Sequence, residues 1–215
     1  MVKNETNKMK KILINYNFTP DKEWIGDDYL IYDRSDDGID HLKDFDQTKV
    51  IHTENRGQVD YDKLNYLIDN YDNLPEVFLW GKTNLFKYIT PEEYEKVKDN
   101  NTFTPLLTKN HKTYSDRNGV VCDYFAGMYR ERNDNWYLNV LPAKYFGSYY
   151  EFAHEFQLPS PPYIPFAPGG NHILTKEVVH KYGLDYYKKM AGVLPYAREP
   201  GEACMCERSY FNMWQ

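Results

Sequence analysis

Four short apolar runs, separated by polar loops, mark the first 80 residues of the chain. Each run has five or six residues and ends in polar side chains. This pattern is typical of strands that are buried on both faces of a largely parallel sheet. It therefore predicts strands at residues 11–16, 28–32, 49–53 and 76–80.

The segment between the third and fourth runs has the period of a helix. Leu64, Leu67, Ile68 and Tyr71 fall at positions i, i+3, i+4 and i+7, which places them on one apolar face, and Pro75 ends the segment. The order strand, strand, strand, helix, strand predicts an α/β fold with crossover connections. We expect a single domain with a central, mostly parallel (mixed) sheet flanked by helices, of Rossmann-like class.

Capping residues predict further helices along the chain. Thr90, Pro91 and Glu93 form a capping box that begins a helix ending near Lys98. Thr175 precedes a second helical segment that Gly183 ends. Helices are predicted over residues 148–156, 176–182, from about 185 onward, and 202–214, with one or two strands between residues 100 and 162.

Charge and terminal composition limit the function classes. The formal net charge of −6 argues against a generic binder of nucleic acid or anionic membranes, because both need a surplus of Lys and Arg. The polar start of the chain is followed by an apolar run too short for a signal peptide or a membrane span. We expect a cytoplasmic protein in which residues 1–10 are flexible and residues 11–215 form the domain.

Polar loops follow each predicted strand, and in parallel sheets ligands bind beyond the carboxyl ends of the strands. Two glycine-marked segments, residues 163–174 and 200–208, lie in the last quarter with a helical segment between them. We expect these two segments to meet and to form one side of a site. The loops that would form the other side are residues 15–19, 33–38, 55–58 and 81–84.

These motifs resemble small glycosyltransferases of the GT-A fold, the α/β class that uses nucleotide-diphosphosugars. The resemblance covers most of residues 11–214, in order. It rests on residues 12–16, 55–58, 71–75 (Tyr-Asp-Asn-Leu-Pro), 77–81 (Val-Phe-Leu-Trp-Gly), 168–170 (Pro-Gly-Gly) and 201–208.

The resemblance implies a UDP- or GDP-sugar donor bound over the strand ends and a hydroxyl acceptor on a glycan or glycoconjugate. Residues 11–99 would be the nucleotide-binding half, and residues 100–215 the acceptor and catalytic half. A tight turn remains the alternative role of the glycine pair, and a structural role the alternative for the histidine. The candidates for donor binding are Asn15, Tyr16, Asp33, Arg34, Arg56, Lys82, Asn84, Gly169, Gly170, Asn171, His172 and Arg208.

One departure from the family concerns its metal site. The usual Asp-x-Asp after the fourth strand is absent, and residues 80–84 (Trp-Gly-Lys-Thr-Asn) stand there instead. Lys82, with Arg56 or Arg208, would then neutralise the diphosphate directly, and we prefer this metal-independent arrangement. In the alternative, Mn²⁺ or Mg²⁺ is held by oxygen and nitrogen ligands from other loops. The candidates for such ligands are Asp36, Asp37 and His172.

Two carboxylates are the catalytic candidates. Glu202 follows Pro200-Gly201 at a predicted helix start, where the resemblance implies a general base that deprotonates the acceptor in a direct, inverting displacement. Its alternative role is to complement the helix dipole. Glu207 is the second candidate, and an ion pair with the adjacent Arg208 is its alternative role.

Aromatic residues make up 17% of the chain, and flat rings with a polar tip suit the binding of sugars. We expect Trp136, Tyr145 and Tyr149 to form a platform for the acceptor, with core packing as the alternative for each. The rival function is a non-catalytic carbohydrate-binding or interaction protein on a degenerate GT-A fold. A nucleotide-sugar hydrolase is a third possibility.

Overall fold

The computed structural model describes residues 9–108, the backbone of residues 121–125, and residues 128–215. The strands are β1 (Lys10–Asn15), β2 (Tyr29–Asp33), β3 (Val50–His52), β4 (Val77–Lys82), β5 (Thr104–Pro105), β6 (Val121–Phe125), β7 (Met128–Arg132), β8 (Tyr163–Phe166) and β9 (His172–Thr175). The helices are α1 (Lys22–Ile25), α2 (Gln58–Asp69), α3 (Pro91–Val97), α4 (Tyr149–Glu155), α5 (Lys176–Val179), α6 (Leu184–Gly192) and α7 (Gly201–Trp214).

Six strands form the main sheet in the order β3-β2-β1-β4-β9-β5. Strands β3, β2, β1 and β4 run parallel, whereas β9 runs antiparallel to both β4 and β5. A second, antiparallel sheet has the order β6-β7-β8. The predicted α/β class with a mostly parallel, mixed sheet is confirmed.

Helices cover both faces of the main sheet. Successive residues of a strand point to opposite sides, so each strand contributes side chains to two cores. Ile12 and Ile14 of β1 pack into the core beneath α2, α6 and α7, which contribute Leu64, Met190 and Trp214. Leu13 points the other way, into a smaller core that includes Ile25 of α1 and Tyr94 of α3. These alternating contacts explain why the β1 run is continuously apolar.

Three predicted helix starts are confirmed by their caps. The Thr90 hydroxyl accepts a hydrogen bond from the backbone N–H of Glu93 at 3.2 Å. Ser148 and Thr175 cap α4 and α5 in the same way. None of the helices in the described residues has the length and apolar character that a bilayer span requires.

The structure differs from the sequence pattern in several places. Helix α5 ends at Val179, short of the predicted end at residue 182, and three strands lie between residues 100 and 162, where one or two were predicted. Helix α2 ends at Asp69 and gives way to a 3₁₀ turn at Tyr71–Asn73, well before Pro75. A further 3₁₀ turn covers Trp136–Asn139. The glycine-marked segment at 163–174 contains β8 and β9, whose hydrogen-bond partners are the remote strands β7 and β4. Local periodicity does not record such long-range pairing.

A buried ion pair ties α7 to β7. Arg208 donates from Nε to Glu131 Oε1 at 2.8 Å and from Nη2 to Glu131 Oε2 at 2.9 Å, and each side chain is 2% exposed. The guanidinium also lies 4.5 Å from the ring centres of Tyr137 and Phe166. The bidentate geometry satisfies both charges, so loss of either partner leaves the charge of the other buried and unpaired.

We expect Glu131→Gln to lower the free energy of unfolding by about 3–5 kcal/mol, because it leaves the Arg208 charge buried without a counter-charge. Urea denaturation followed by circular dichroism measures this change. Glu93→Gln is the matched control, since Glu93 pairs with Lys96 at the surface, and we expect it to cost less than about 1 kcal/mol. Equal effects of the two substitutions would contradict a structural role for the Arg208–Glu131 pair.

Candidate functional site

A cavity of about 390 Å³ opens beyond the carboxyl ends of β1 and β4. The chain leaves β1 toward β2 on one side and returns to β4 on the other, so this is the point where the strand order reverses. Open α/β sheets bind their ligands in this crevice, and the volume falls within the range of roughly 300–1,000 Å³ that is usual for ligand sites. The cavity is lined by Ile14, Tyr16, Arg34, Asn55, Gln58, Val59, Lys82, Thr83, Asn84, Tyr88, Leu141, Arg198 and Glu199.

A larger cavity, of about 760 Å³, lies at the opposite edge, where β1 and β4 begin. Acidic and basic side chains are mixed along its wall, with Lys11 and Lys98 beside Asp28 and Asp99. We place the functional site in the smaller cavity, because loops at the carboxyl ends of the strands carry the ligands of this fold class.

The mouth of the cavity is formed by Tyr16 and Arg198. The guanidinium of Arg198 lies 5.3 Å from the centre of the Tyr16 ring and donates a hydrogen bond to the Tyr16 hydroxyl. It also pairs with Asp36 at 3.0 Å. The Arg198 carbonyl accepts from Gln58 N at 3.0 Å, which fixes this loop to the start of α2. An exposed aromatic face and a cation therefore stand together at the entrance.

Lys82 ends β4 and points into the cavity. Its Nζ donates to the Tyr88 hydroxyl at 3.1 Å, and its backbone N–H donates to Asn171 Oδ1 at 2.9 Å. Burial alone would lower the pKa of Lys82, but Tyr88 and Glu207 raise that pKa above its ordinary value. The side chain is therefore an ammonium group at neutral pH.

Two charged side chains, Lys63 and Glu207, hold the glycine turn between β8 and β9 in place. Lys63 Nζ donates to the carbonyls of Gly170 at 2.6 Å and Gly169 at 3.3 Å, and Glu207 Oε1 accepts from Gly169 N at 2.6 Å. Gly169 has φ +85°, and a Cβ there would lie 2.6 Å from the Tyr88 ring. The sequence-predicted pair Gly169 and Gly170 therefore makes a tight turn behind the cavity wall and is absent from the cavity lining.

Buried ionisable groups surround this turn. Lys63 Nζ lies 4.9 Å from the centre of the Trp80 ring, and the Tyr210 hydroxyl donates to Asp60 Oδ1 at 2.6 Å. Burial lowers the pKa of Lys63 to about 7, although Asp60 opposes that shift. Burial likewise raises the pKa of both Asp60 and Glu207 above the ordinary carboxyl value. Each group is thus partly compensated by its neighbours within the core.

Arg34 is the most deeply buried cation on the cavity wall, at 2% exposed. Its Nε lies 3.2 Å from Asp62 Oδ2, and its Nη2 donates to the carbonyl of Arg56. Burial lowers the pKa of Arg34, and Asp62 opposes that shift. Arg56 itself is exposed, pairs with Glu54 at 2.6 Å and does not line the cavity.

Asn15 and Asp33, both predicted to bind the donor, lie beneath the cavity and join the strand ends. Asn15 donates from Nδ2 to Asp33 Oδ1 at 3.1 Å and accepts from the Thr83 hydroxyl at 2.6 Å. The other Asp33 oxygen faces His52 Nδ1 at 3.3 Å. These bonds fix the ends of β1, β2 and β4 relative to one another. Asn84, in contrast, lines the cavity.

The three metal-ligand candidates divide between two places in the fold, the loop after β2 and strand β9. Asp36 pairs with Arg198, and Asp37 with His41 at 2.8 Å, both in the loop after β2. His172 is in β9, stacked 5.3 Å from Phe103, and burial holds its pKa well below the ordinary value. Across the described part of the chain, no three His, Cys, Asp or Glu side chains converge.

The cavity wall itself does not fit a hard divalent cation, because its donor set is wrong for one. Such ions take several oxygen ligands, among them carboxylates. Among the described residues of the wall, Glu199 alone carries a carboxylate, against three cationic side chains. The Thr83 hydroxyl is already bonded to Asn15.

Glu202 lies outside the cavity and is fully buried. Its Oε1 accepts from the backbone N–H groups of Lys144 at 2.9 Å and Tyr145 at 2.7 Å, and its Oε2 accepts from the Tyr196 hydroxyl at 2.5 Å. The carboxylate therefore fixes the loop before α4 to the start of α7. Arg208, described above, is likewise remote from the cavity lining.

The predicted acceptor platform is not assembled on the cavity wall. Tyr149 is 0% exposed, so its ring has no surface for a ligand. Trp136 is partly buried, with its ring 5.8 Å from the Arg208 guanidinium. Tyr145 is 45% exposed and lies edge-on to Tyr196 at 5.7 Å.

Five lining residues were not singled out by the sequence: Val59, Tyr88, Leu141, Arg198 and Glu199. Arg198 and Glu199 precede Pro200 and the last helix, in a segment that reads as an ordinary loop. The available signal was their position beside the glycine-marked segment 200–208. The structure shows that this loop contacts the start of α2, which is remote from it in sequence.

Comparison with known proteins gives no match to a family model, a curated protein or a solved structure.

Proposed function

We propose that the protein is a glycosyltransferase that binds a UDP- or GDP-sugar in the cavity at the ends of β1 and β4 and transfers the sugar to a hydroxyl acceptor. One observation carries this proposal. The cavity combines an exposed aromatic ring, Tyr16, with the cations Arg34, Lys82 and Arg198 at the reversal point of the sheet. A nucleoside diphosphate needs both a stacking surface for the base and positive charge for the phosphates.

The reaction is a direct displacement. The acceptor oxygen forms a bond to the anomeric carbon while the bond from that carbon to the diphosphate breaks, and the electron pair leaves with the diphosphate. Cations preorganised at the leaving group stabilise this developing charge. The acceptor proton needs a carboxylate, and Glu199 is exposed on the cavity wall. We assign Glu199 as the base, with Glu202 positioning the loop that precedes α4.

One observation favours a second candidate, a carbohydrate-binding protein without turnover. Glu202, the carboxylate at the helix start where the resemblance implies the base, is buried and accepts three hydrogen bonds. A protein of this kind would bind a nucleotide sugar or a glycan without releasing nucleoside diphosphate. The release assay below separates the two functions.

We expect UDP, GDP or one of their sugars to raise the melting temperature by about 5–10 °C at a hundredfold excess over its Kd, because only the folded state has the cavity. Differential scanning fluorimetry across a panel of nucleotides and nucleotide sugars measures the shift. Release of UDP or GDP in the presence of acceptor glycans is measured in parallel. The absence of any shift and any release across the panel would rule out the proposal, and a shift without release would favour the binding protein.

We expect Glu199→Gln to reduce the acceptor-dependent release by about 10²–10⁴-fold without lowering the melting temperature, because the base is lost and the exposed side chain supports no core contact. Glu202→Gln serves as the comparison. It should lower the melting temperature, since it weakens three buried hydrogen bonds, yet leave the turnover of the folded fraction within a few-fold of wild type. The reverse result, with activity lost only in a fully stable Glu202→Gln, would restore Glu202 as the base.

A further inference from the structure

The three cations of the cavity wall differ in how their charge is compensated. Arg34 lies against Asp62 at 3.2 Å, and Arg198 lies against Asp36 at 3.0 Å. Lys82 is different, because its ammonium donates to the Tyr88 hydroxyl and, among the described residues, no carboxylate lies within ion-pair distance of it. Glu207 and Asp60 act on this ammonium only from beyond ion-pair distance. An ammonium that faces a cavity without a directly paired carboxylate favours an anionic ligand.

The surroundings of Lys82 hold it in place. Its backbone N–H donates to Asn171 Oδ1, just beyond Trp80 and His172, the last pair of β4 and β9. Asn171 directly follows the glycine turn, which Lys63 and Glu207 hold through hydrogen bonds. Tyr88 then fixes the ammonium end of the side chain. The lysine therefore enters the cavity from a rigid strand end, and little side-chain freedom is lost when it meets a ligand.

We infer that Lys82 is the primary anchor for the diphosphate and that the nucleotide binds without a divalent cation. This inference rests on the proposed function of the cavity and specifies how that site recognises its ligand. The ammonium group occupies the end of β4, where it repels a second cation, and the wall lacks the carboxylates that Mg²⁺ or Mn²⁺ requires. Lys82 supplies the positive charge directly, as a compact point charge suited to phosphate.

Isothermal titration of UDP, GDP, uridine and guanosine in EDTA tests the inference. Whichever of UDP and GDP binds, we expect its affinity to be the same in EDTA as in MgCl₂ or MnCl₂. Lys82→Met should weaken this diphosphate by about 10- to 100-fold, the effect of losing a charged hydrogen bond, and should leave the corresponding nucleoside unchanged. A variant that is merely misfolded would weaken both ligands.

Lys87→Met is the matched control. Lys87 is exposed in the Leu85–Lys87 turn, with its Nζ 5.1 Å from the ring centre of Phe18, and it does not line the cavity. Lys87→Met removes the same charge from the turn that follows β4, so we expect less than a threefold change in the affinity for the diphosphate. If Lys82→Met does not fold, Lys82→Gln is used instead, since its amide retains a donor for Tyr88.

Two results would overturn the inference while leaving the proposed function intact. One is binding of the diphosphate only in the presence of MgCl₂ or MnCl₂. The other is metal-free binding that Lys82→Met does not weaken. If no nucleoside diphosphate binds with or without metal, both the inference and the proposed function fail.

Discussion

The amino group of Lys63, fully buried beneath the sheet end, joins three parts of the molecule that are remote in sequence. It reaches from α2 to the carbonyls of Gly169 and Gly170 and lies over the indole of Trp80 on β4. The turn that it holds leads directly into β9, the strand that continues the sheet beyond β4. Without this contact, both carbonyls would lose their Lys63 donor, and a buried carbonyl that is left without any donor costs about 1–3 kcal/mol.

The hydrogen bonds from Lys63 to the glycine turn also position the residues of the candidate site. Because the turn is fixed, Asn171 stands where it can bind the backbone of Lys82, and Tyr88 packs against a glycine that admits no Cβ. The cavity wall is thus built from a strand end, a turn and a loop, each held by polar groups that are buried behind it. Preorganised charge of this kind is what binding of a phosphorylated ligand demands.

The sequence predicted the elements whose signals are local. Strands β1 to β4 are continuous apolar runs, and Thr90 and Thr175 cap helices through contacts three residues away. It did not predict β8 and β9, because their partners lie on distant strands. Their strand character depends on pairing that only the folded chain supplies.

The candidate site residues show the same distinction between local signals and long-range contacts. Tyr16, Arg34, Lys82 and Asn84 line the cavity because they follow strands that the pattern located. Glu202 was chosen for its place at a predicted helix start and Arg208 as a cation of the same motif, and the structure pairs them with Tyr196 and Glu131, partners that no spacing rule could reveal. Arg198 was missed because its role comes from the contact of its loop with α2.

A crystal structure of the protein soaked with UDP or GDP in EDTA tests the central claim most directly. The account predicts density for the nucleotide at the ends of β1 and β4, with a phosphate oxygen about 2.7–2.9 Å from Lys82 Nζ. A nucleotide bound at the opposite edge of the sheet, or one whose phosphates lie away from Lys82, would contradict it.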